Sequence, residues 1–279
     1  MSSKVRQRRP IAIITGAAGG MGRVCASRLA DRYALVLSEY RADALDQLAG
    51  QLAGEGADIV ATISGDLGQP ESIEAIVAAC GDRPAALVHT AGLSPAMARW
   101  QDIIATNLIA TARLLHALDP LVGPGMASVL IASTARLVVP PAPEALLAVL
   151  EQPLASSFIS DIGPLLGDDE AQLCNLAYCW SKWWVAREAG RRAQQWGPRG
   201  ARIMSISPGM IYTPMARLET DDPQLMALVE NTPVGRWGMP ADIANTVDFI
   251  LSDKAGFLTG SDILVDGGVG VFMQQHMAR

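Results

Sequence analysis

An alternation constrains this chain more than any other feature. Short apolar runs recur at Ile11–Ile14, Ala34–Leu37, Asp58–Ile63, Ala85–His89, Ala127–Ile131, Arg202–Ile206 and Ile263–Val265. Between them lie segments of helical period: Met21–Asp31, Asp43–Leu52, Glu71–Cys80, Trp100–Leu118, Tyr178–Trp196 and Ala241–Ser252. A strand that is apolar at successive positions is buried on both faces, and a helix between two such strands returns the chain to the same end of the sheet. The pattern predicts an α/β fold, one Rossmann-type doubly wound parallel sheet of about seven strands with helices on both faces. Right-handed crossovers gather the loops that follow the strands on one edge, where ligands of such sheets bind. No repeat or linker divides the sequence, so residues 1–279 are read as a single domain.

Composition narrows the classes. Half of the residues are hydrophobic and 18% are charged, which excludes a disordered chain. No run of eighteen apolar residues occurs, so no membrane span is expected. A net charge of −6 argues against nucleic acid as a partner. Lys4, Arg6, Arg8 and Arg9 make residues 1–10 a basic, solvated tail that leads into a strand with no signal-peptide core, and a cytoplasmic location is expected. Cys25, Cys80, Cys174 and Cys179 show no CxxC spacing and read as small buried hydrophobes. His89, His116 and His276 are too scattered for a metal site, and structural or incidental roles are expected for them; no metal is predicted.

One segment breaks the rhythm. Arg136 to Ala177 spans some forty residues where a short connection would suffice, too long for a structureless loop. Glu144–Glu151 reads as a short helix after Pro140-Pro141, ended by Pro153, while Ser157–Leu166 is mixed and receives no assignment.

Three local patterns carry chemistry. Thr15-Gly16-Ala17-Ala18-Gly19-Gly20-Met21-Gly22 joins the first strand to the first helix. Glycines there permit a tight turn and close approach of a pyrophosphate to the positive end of the helix. An acid follows at the end of the second strand, Glu39, where a carboxylate binds ribose hydroxyls and repels a 2′-phosphate. Tyr40 stands where a basic residue would suit NADP, with Arg41 one place further, so NAD is favoured over NADP. Finally, Tyr178 and Lys182 lie one turn apart on a helix face. A phenol is a poor acid/base near neutrality until an ammonium stabilises its phenolate. The chain has four Tyr and three Lys against nineteen Arg, so this pairing of rare residues favours a functional reading.

With these motifs in place, the sequence resembles the short-chain dehydrogenase/reductase family along most of Ile11 to Gly268. Its TGxxxGxG motif matches Thr15 to Gly22, and its YxxxK motif matches Tyr178 and Lys182. The resemblance implies that Ser133 orients the substrate oxygen and that Asn107 holds a water in a proton relay. It also implies a nicotinamide segment over Pro208-Gly209-Met210-Ile211-Tyr212-Thr213-Pro214, an adenine-side Asp66-Leu67 and a closing strand at Leu264–Gly268. The implied catalytic set is Tyr178, Lys182, Ser133 and Asn107. The implied cofactor set is Gly16, Ala18, Gly20, Met21, Gly22, Glu39, Asp66, Leu67, Ala91, Gly92, Tyr178, Lys182, Pro208, Gly209, Ile211 and Thr213.

Two departures from the family pattern matter. His89-Thr90-Ala91-Gly92 stands in place of NNAG, and a Thr hydroxyl could supply part of the missing asparagine's bonding. Ser133 and Tyr178 are also forty-five residues apart, where the family has roughly a dozen. That insertion, 137–175, resembles the subgroup containing bacterial 3α-hydroxysteroid dehydrogenase/carbonyl reductase, and it is expected to cap the substrate pocket. The resemblance implies an NAD(H)-dependent oxidoreductase acting on a small-molecule alcohol or ketone, with a hydrophobic substrate. Enoyl reduction is disfavoured by the Tyr–Lys spacing. A dinucleotide-binding regulator or scaffold would keep the glycine loop but lose a catalytic residue. Many family members use the outer face of the Tyr helix in a tetramer; if the insertion covers it, a homodimer is expected, with a homotetramer as the alternative. Trp183, Trp184, Met210, Tyr212 and Met215 are left between packing and pocket, and Arg136 reads as a solvated loop arginine.

Overall fold

In the computed structural model, which describes residues 9–81, 84–167, 169–219 and 221–276, the seven apolar runs become seven strands. They are β1 (Ile11–Thr15), β2 (Ala34–Glu39), β3 (Ile59–Ser64), β4 (Pro84–His89), β5 (Ala127–Ile131), β6 (Arg202–Pro208) and β7 (Asp262–Val265). All pair in parallel, in the order β3-β2-β1-β4-β5-β6-β7. The order reverses between β1 and β4, so the loops leaving these two strands diverge and open a crevice between them.

The helices are α1 (Gly20–Leu29), α2 (Ala42–Gly54), α3 (Pro70–Cys80), α4 (Trp100–Ile104), α5 (Ala110–Leu118), α6 (Glu144–Leu150), α7 (Phe158–Leu166), α8 (Glu170–Trp196), α9 (Pro223–Glu230), α10 (Pro240–Ile250) and α11 (Val269–His276). Strand residues alternate between two cores, as a period of two requires. Ile11 and Ile13 pack beneath α3, α4, α5 and α8, whereas Ala12 and Ile14 pack beneath α1, α2 and α10. No helix among the described residues is long and apolar enough to cross a membrane.

Beyond shifts of one or two residues at element ends, the elements differ from the sequence reading as follows. The expected helix Trp100–Leu118 is interrupted by a π-helical turn, Ala105–Ile109, that contains Asn107. The Tyr178 helix begins earlier, at Glu170, because Leu173, Leu176 and Ala177 continue its apolar stripe into the core. Ser157–Leu166 contains α7, whose period was masked by an internal Pro164; Phe158, Ile162 and Leu166 are nevertheless buried at successive turns. Short α9 and α11 have no counterpart in the reading. Of the basic tail, Lys4, Arg6 and Arg8 lie outside the described residues, while Arg9 donates to the Ala30 carbonyl. Cys25 and Cys80 are buried as expected, but Cys174 and Cys179 are only half-buried.

Candidate active site

The glycine loop is dictated first by the chain's own packing. Gly16 has φ +63°, and a Cβ there would lie 2.7 Å from the Ala91 amide nitrogen. A Cβ on Gly22 would sit 2.1 Å from the Gly16 carbonyl oxygen, and one on Gly20 would meet the Thr213 side chain at 2.7 Å. The loop after β1 is therefore pressed against the loops after β4 and β6, which bring Ala91, Gly92 and Thr213 to it. No side chain caps the N-terminus of α1, so its first amides remain available to an anion.

Glu39, at the end of β2, is held by backbone donors. Its Oε2 accepts from the Ala18 amide at 3.1 Å, and Oε1 accepts from the amides of Tyr40 at 3.0 Å and Arg41 at 3.4 Å. These contacts fix a carboxylate beside the glycine loop and orient the Ala18 N–H toward it. Asp66 accepts from the Gly68 amide at 2.7 Å, which shapes the turn after β3, and Leu67 beside it is buried.

The departure from NNAG is repaired by side chains. The Thr90 hydroxyl donates to the Thr15 carbonyl at 2.7 Å and lies 3.3 Å from that of Gly16, tying β4 to β1. His89 is fully buried, with Nδ1 2.7 Å from Thr15 Oγ1 and Nε2 2.7 Å from Thr111 Oγ1. Burial, with the charge of Lys182 adding to it, pushes its pKa down to about 3. Of the structural and incidental roles expected for the histidines, His89 takes the structural one, as a buried bridge between β1, β4 and α5.

Asn107 clamps the loop after β4. Its Oδ1 accepts from the Leu93 amide at 2.8 Å and its Nδ2 donates to the Leu93 carbonyl at 2.9 Å. Nδ2 also lies 3.3 Å from Ser181 Oγ, on α8. A Cβ on Gly92 would lie 3.1 Å from Asn107 Oδ1 and 3.3 Å from Lys182 Nζ, so these three expected site residues converge.

Lys182 is buried and donates to the Ile131 carbonyl at 3.0 Å, at the end of β5. Burial lowers its pKa to about 8. The ammonium stands 5.8 Å from the centroid of the Tyr178 ring. Two residues beyond Ile131, Ser133 opens a 3₁₀ turn (Thr134–Val138) and its Oγ accepts from the Ala135 amide at 3.2 Å. One strand end thus anchors the lysine and presents the serine.

Beyond β6, the Pro208 carbonyl accepts from Thr134 Oγ1 at 3.2 Å, and a Cβ on Gly209 would lie 2.7 Å from Asp266 Cα. Ile211 bridges to Gly238, and Thr213 Oγ1 accepts from the Ala216 amide at 3.2 Å. Arg136 is not a solvated loop arginine. It is half-buried in an ion pair with Asp262 on β7 at 2.5 Å, and it also donates to Ser207 at 2.9 Å. Trp184 is buried and Trp183 half-buried, edge-on to Trp180 beneath Arg187. Tyr212 is exposed and packs edge-on against Trp237.

The insertion lies against α8. Trp184 Nε1 donates to the Leu150 carbonyl at 3.0 Å, and Glu151 pairs with Arg187 and Arg191, each at 2.6 Å. Phe158, Ile162 and Leu166 share a core with Trp180 and Trp184, and Gly163 packs close to the Trp100 ring. A cavity of about 390 Å³ lies between this segment and α8, among Glu151, Glu188, Arg191 and Arg192. Each of these charged groups is already paired with another.

The fold and the converging Tyr, Lys, Asn and glycine loop define a class, a Rossmann-type oxidoreductase. Comparison with known proteins is consistent with it. The short chain dehydrogenase family matches residues 10–140, and a second model, described as enoyl-(acyl carrier protein) reductase, matches residues 167–270. The chain is 31% identical over 272 residues to D-threitol dehydrogenase of Mycolicibacterium smegmatis, covering 92% of each. It is 29% identical over 225 residues to 3-alpha-hydroxysteroid dehydrogenase/carbonyl reductase of Comamonas testosteroni, covering 78% of this chain and 85% of that one. The structure of the 3-alpha-hydroxysteroid dehydrogenase from Pseudomonas sp. B-0831, complexed with NADH, superposes with a TM-score of 0.74 at 26% identity, over 95% of this chain and 99% of that one. The chain belongs to the short-chain dehydrogenase/reductase family.

Proposed function

We propose that the protein is an NAD(H)-dependent oxidoreductase that interconverts a secondary alcohol and a ketone on a hydrophobic small molecule. The observation that carries this reading is the Lys182 ammonium, held in a dry site by the end of β5, one turn from Tyr178 and beside Asn107. The uncapped α1 terminus and the close-packed glycines fit a dinucleotide pyrophosphate, and Glu39 fits its ribose hydroxyls. When bound, the nicotinamide dinucleotide supplies or accepts the hydride. Tyr178 exchanges the proton of the substrate oxygen, Ser133 orients that oxygen, and Lys182 stabilises the phenolate. Asn107 holds a water through which the proton moves on toward solvent. The three-residue gap between Tyr178 and Lys182 supports carbonyl rather than enoyl chemistry, and retention of all four residues supports an enzyme rather than a regulator.

The test is turnover of androsterone, cyclohexanol and D-threitol followed at 340 nm with NAD and with NADP. We expect kcat/KM to favour NAD, because a fixed carboxylate repels a 2′-phosphate, and Glu39→Ser to narrow the gap. Equal or better use of NADP by the parent chain overturns the cofactor assignment.

We further propose assembly as a dimer. With α6 and α7 on the outer face of α8, the remaining apolar surface includes the edge strand β7 and its surroundings, where Phe249, Phe257 and Leu264 are exposed. Light scattering coupled to gel filtration should give the mass of two chains; the mass of four refutes it.

A further inference from the structure

A hydrogen-bond count around His89 fixes the direction of every proton in its chain. The Thr111 hydroxyl lies 2.8 Å from the carbonyl oxygen of Asn107, and a carbonyl only accepts, so the single hydroxyl hydrogen points there. Thr111 Oγ1 therefore receives a hydrogen from His89, whose Nε2 lies 2.7 Å away. A buried neutral ring with its hydrogen on Nε2 has a bare Nδ1, which accepts from the hydroxyl of Thr15 at 2.7 Å. Every donor in this chain points toward Asn107: Thr15 to His89, His89 to Thr111, and Thr111 to the carbonyl. Thr15, His89, Thr111 and Asn107 are all buried, so water does not compete for these bonds, and successive bonds polarise one another.

Both ends of the chain lie at the site. Thr15 is the last residue before Gly16, and its own carbonyl is held by the Thr90 hydroxyl and the Thr90 amide. Asn107 sits in the π turn, and both ends of its side-chain amide are engaged, Oδ1 by Leu93 and Nδ2 by Leu93 and Ser181. Its backbone carbonyl, which already accepts from Thr111, is the group that can accept from a donor of the relay, since π turns widen a helix locally so that a carbonyl can be exposed.

We propose that His89 is a positioning residue of the active site: through Thr111 it occupies one lone pair of the Asn107 carbonyl and aims the other at the proton relay. The proposal rests on the reading of Asn107 as a relay group. It gives a chemical reason for histidine where the family pattern has asparagine. An imidazole spans the gap from β1 to α5 with one acceptor and one donor on a rigid ring. Its neutrality also spares Lys182, the charged group that faces it, a second positive charge.

Two readouts test the proposal. The first is the nitrogen NMR signature of His89 in the NADH-bound protein between pH 5.5 and 8. A bare Nδ1 and a protonated Nε2 are expected throughout, and an Nδ1–H or imidazolium signal overturns the proposal. The second is kinetic, with whichever of androsterone, cyclohexanol and D-threitol is turned over fastest. Gln at position 89 places an N–H where Nε2–H was, so His89→Gln should keep kcat within about threefold. Asn reaches Thr15 but not Thr111, so His89→Asn should lower kcat about tenfold, with NADH affinity within twofold. Thr111→Val should lower kcat equally, and the double variant should be no worse than either single one. Additive losses, or NADH affinity falling in parallel with kcat, reduce His89 to a structural residue. Tyr178→Phe separates the two levels. If it retains turnover, the relay reading itself fails; if it abolishes turnover while His89→Asn does not lower it, only the role of His89 fails.

Discussion

The two faces of α8 are built from different materials. The face toward the sheet carries Tyr178 and Lys182, and it is fixed by a polar anchor, the Ile131 carbonyl accepting from a buried ammonium. The opposite face carries Trp180, Trp184, Arg187 and Arg191. It is fixed mostly by apolar burial against the insertion, with one indole hydrogen bond and exposed ion pairs around it. The first face spends stability on chemistry, because a lysine held out of water has its pKa lowered to about 8. The second recovers it, since two tryptophans bury large apolar areas at no such cost. A single helix can present a desolvated polar group on one side because its other side buries large apolar side chains.

Three experiments break or sharpen this contrast. Trp184→Ala should have the largest effect, a loss of about 3–5 kcal/mol in unfolding free energy from the cavity left under Leu150. Turnover per folded molecule should be unchanged, so chemical denaturation and kinetics together decide whether the outer face is purely structural. A loss of turnover in the fully folded variant breaks the contrast.

Tyr178→Phe should do the reverse. Turnover should fall by about 100-fold or more, equivalent to about 2.7 kcal/mol of barrier, with little change in Tm or NADH affinity because the ring still packs. Retention of most activity removes Tyr178 from the acid/base role.

The third is a pH effect beside the polar anchor, at His89, which faces the Lys182 charge. His89 titrates at about 3 when folded against about 6.5 unfolded, so the unfolded chain binds more protons between these values. Stability from keeping the ring neutral is complete above pH 6.5 and is lost as pH falls toward 3. From pH 6.5 to 5 this amounts to about 2 kcal/mol at about 1.4 kcal/mol per unit. Urea unfolding at the two pH values should show a steeper loss in the parent than in His89→Gln. Equal slopes place the acid sensitivity elsewhere.

The course of β1 to β7 was legible because a parallel sheet covered on both faces demands apolar runs at intervals. The glycine loop, Glu39, Tyr178 and Lys182 were legible because each acts through its immediate neighbours or through one turn of helix. The start of α8 was not, because its first turns are held by contacts of Leu173 and Leu176 with a distant core rather than by local motif. The Pro164 of α7 and the π turn at Asn107 hid for the same reason: packing and a loop clamp override local preference there.

By itself, then, the amino-acid order determined the sheet, the edge on which the site lies and the residues placed at its strand ends, since periodicity and short spacings are properties of neighbours along the chain. Only the tertiary structure decided what holds those residues. It made Gly16 answer to Ala91, Arg136 to Asp262, and His89 to both Thr15 and Thr111. Asp262 is 126 positions from Arg136 along the chain, and Thr15 and Thr111 are 74 and 22 positions from His89. Hydrogen bonds and close packing depend on distances in space, which the folded sheet sets and a linear pattern does not encode.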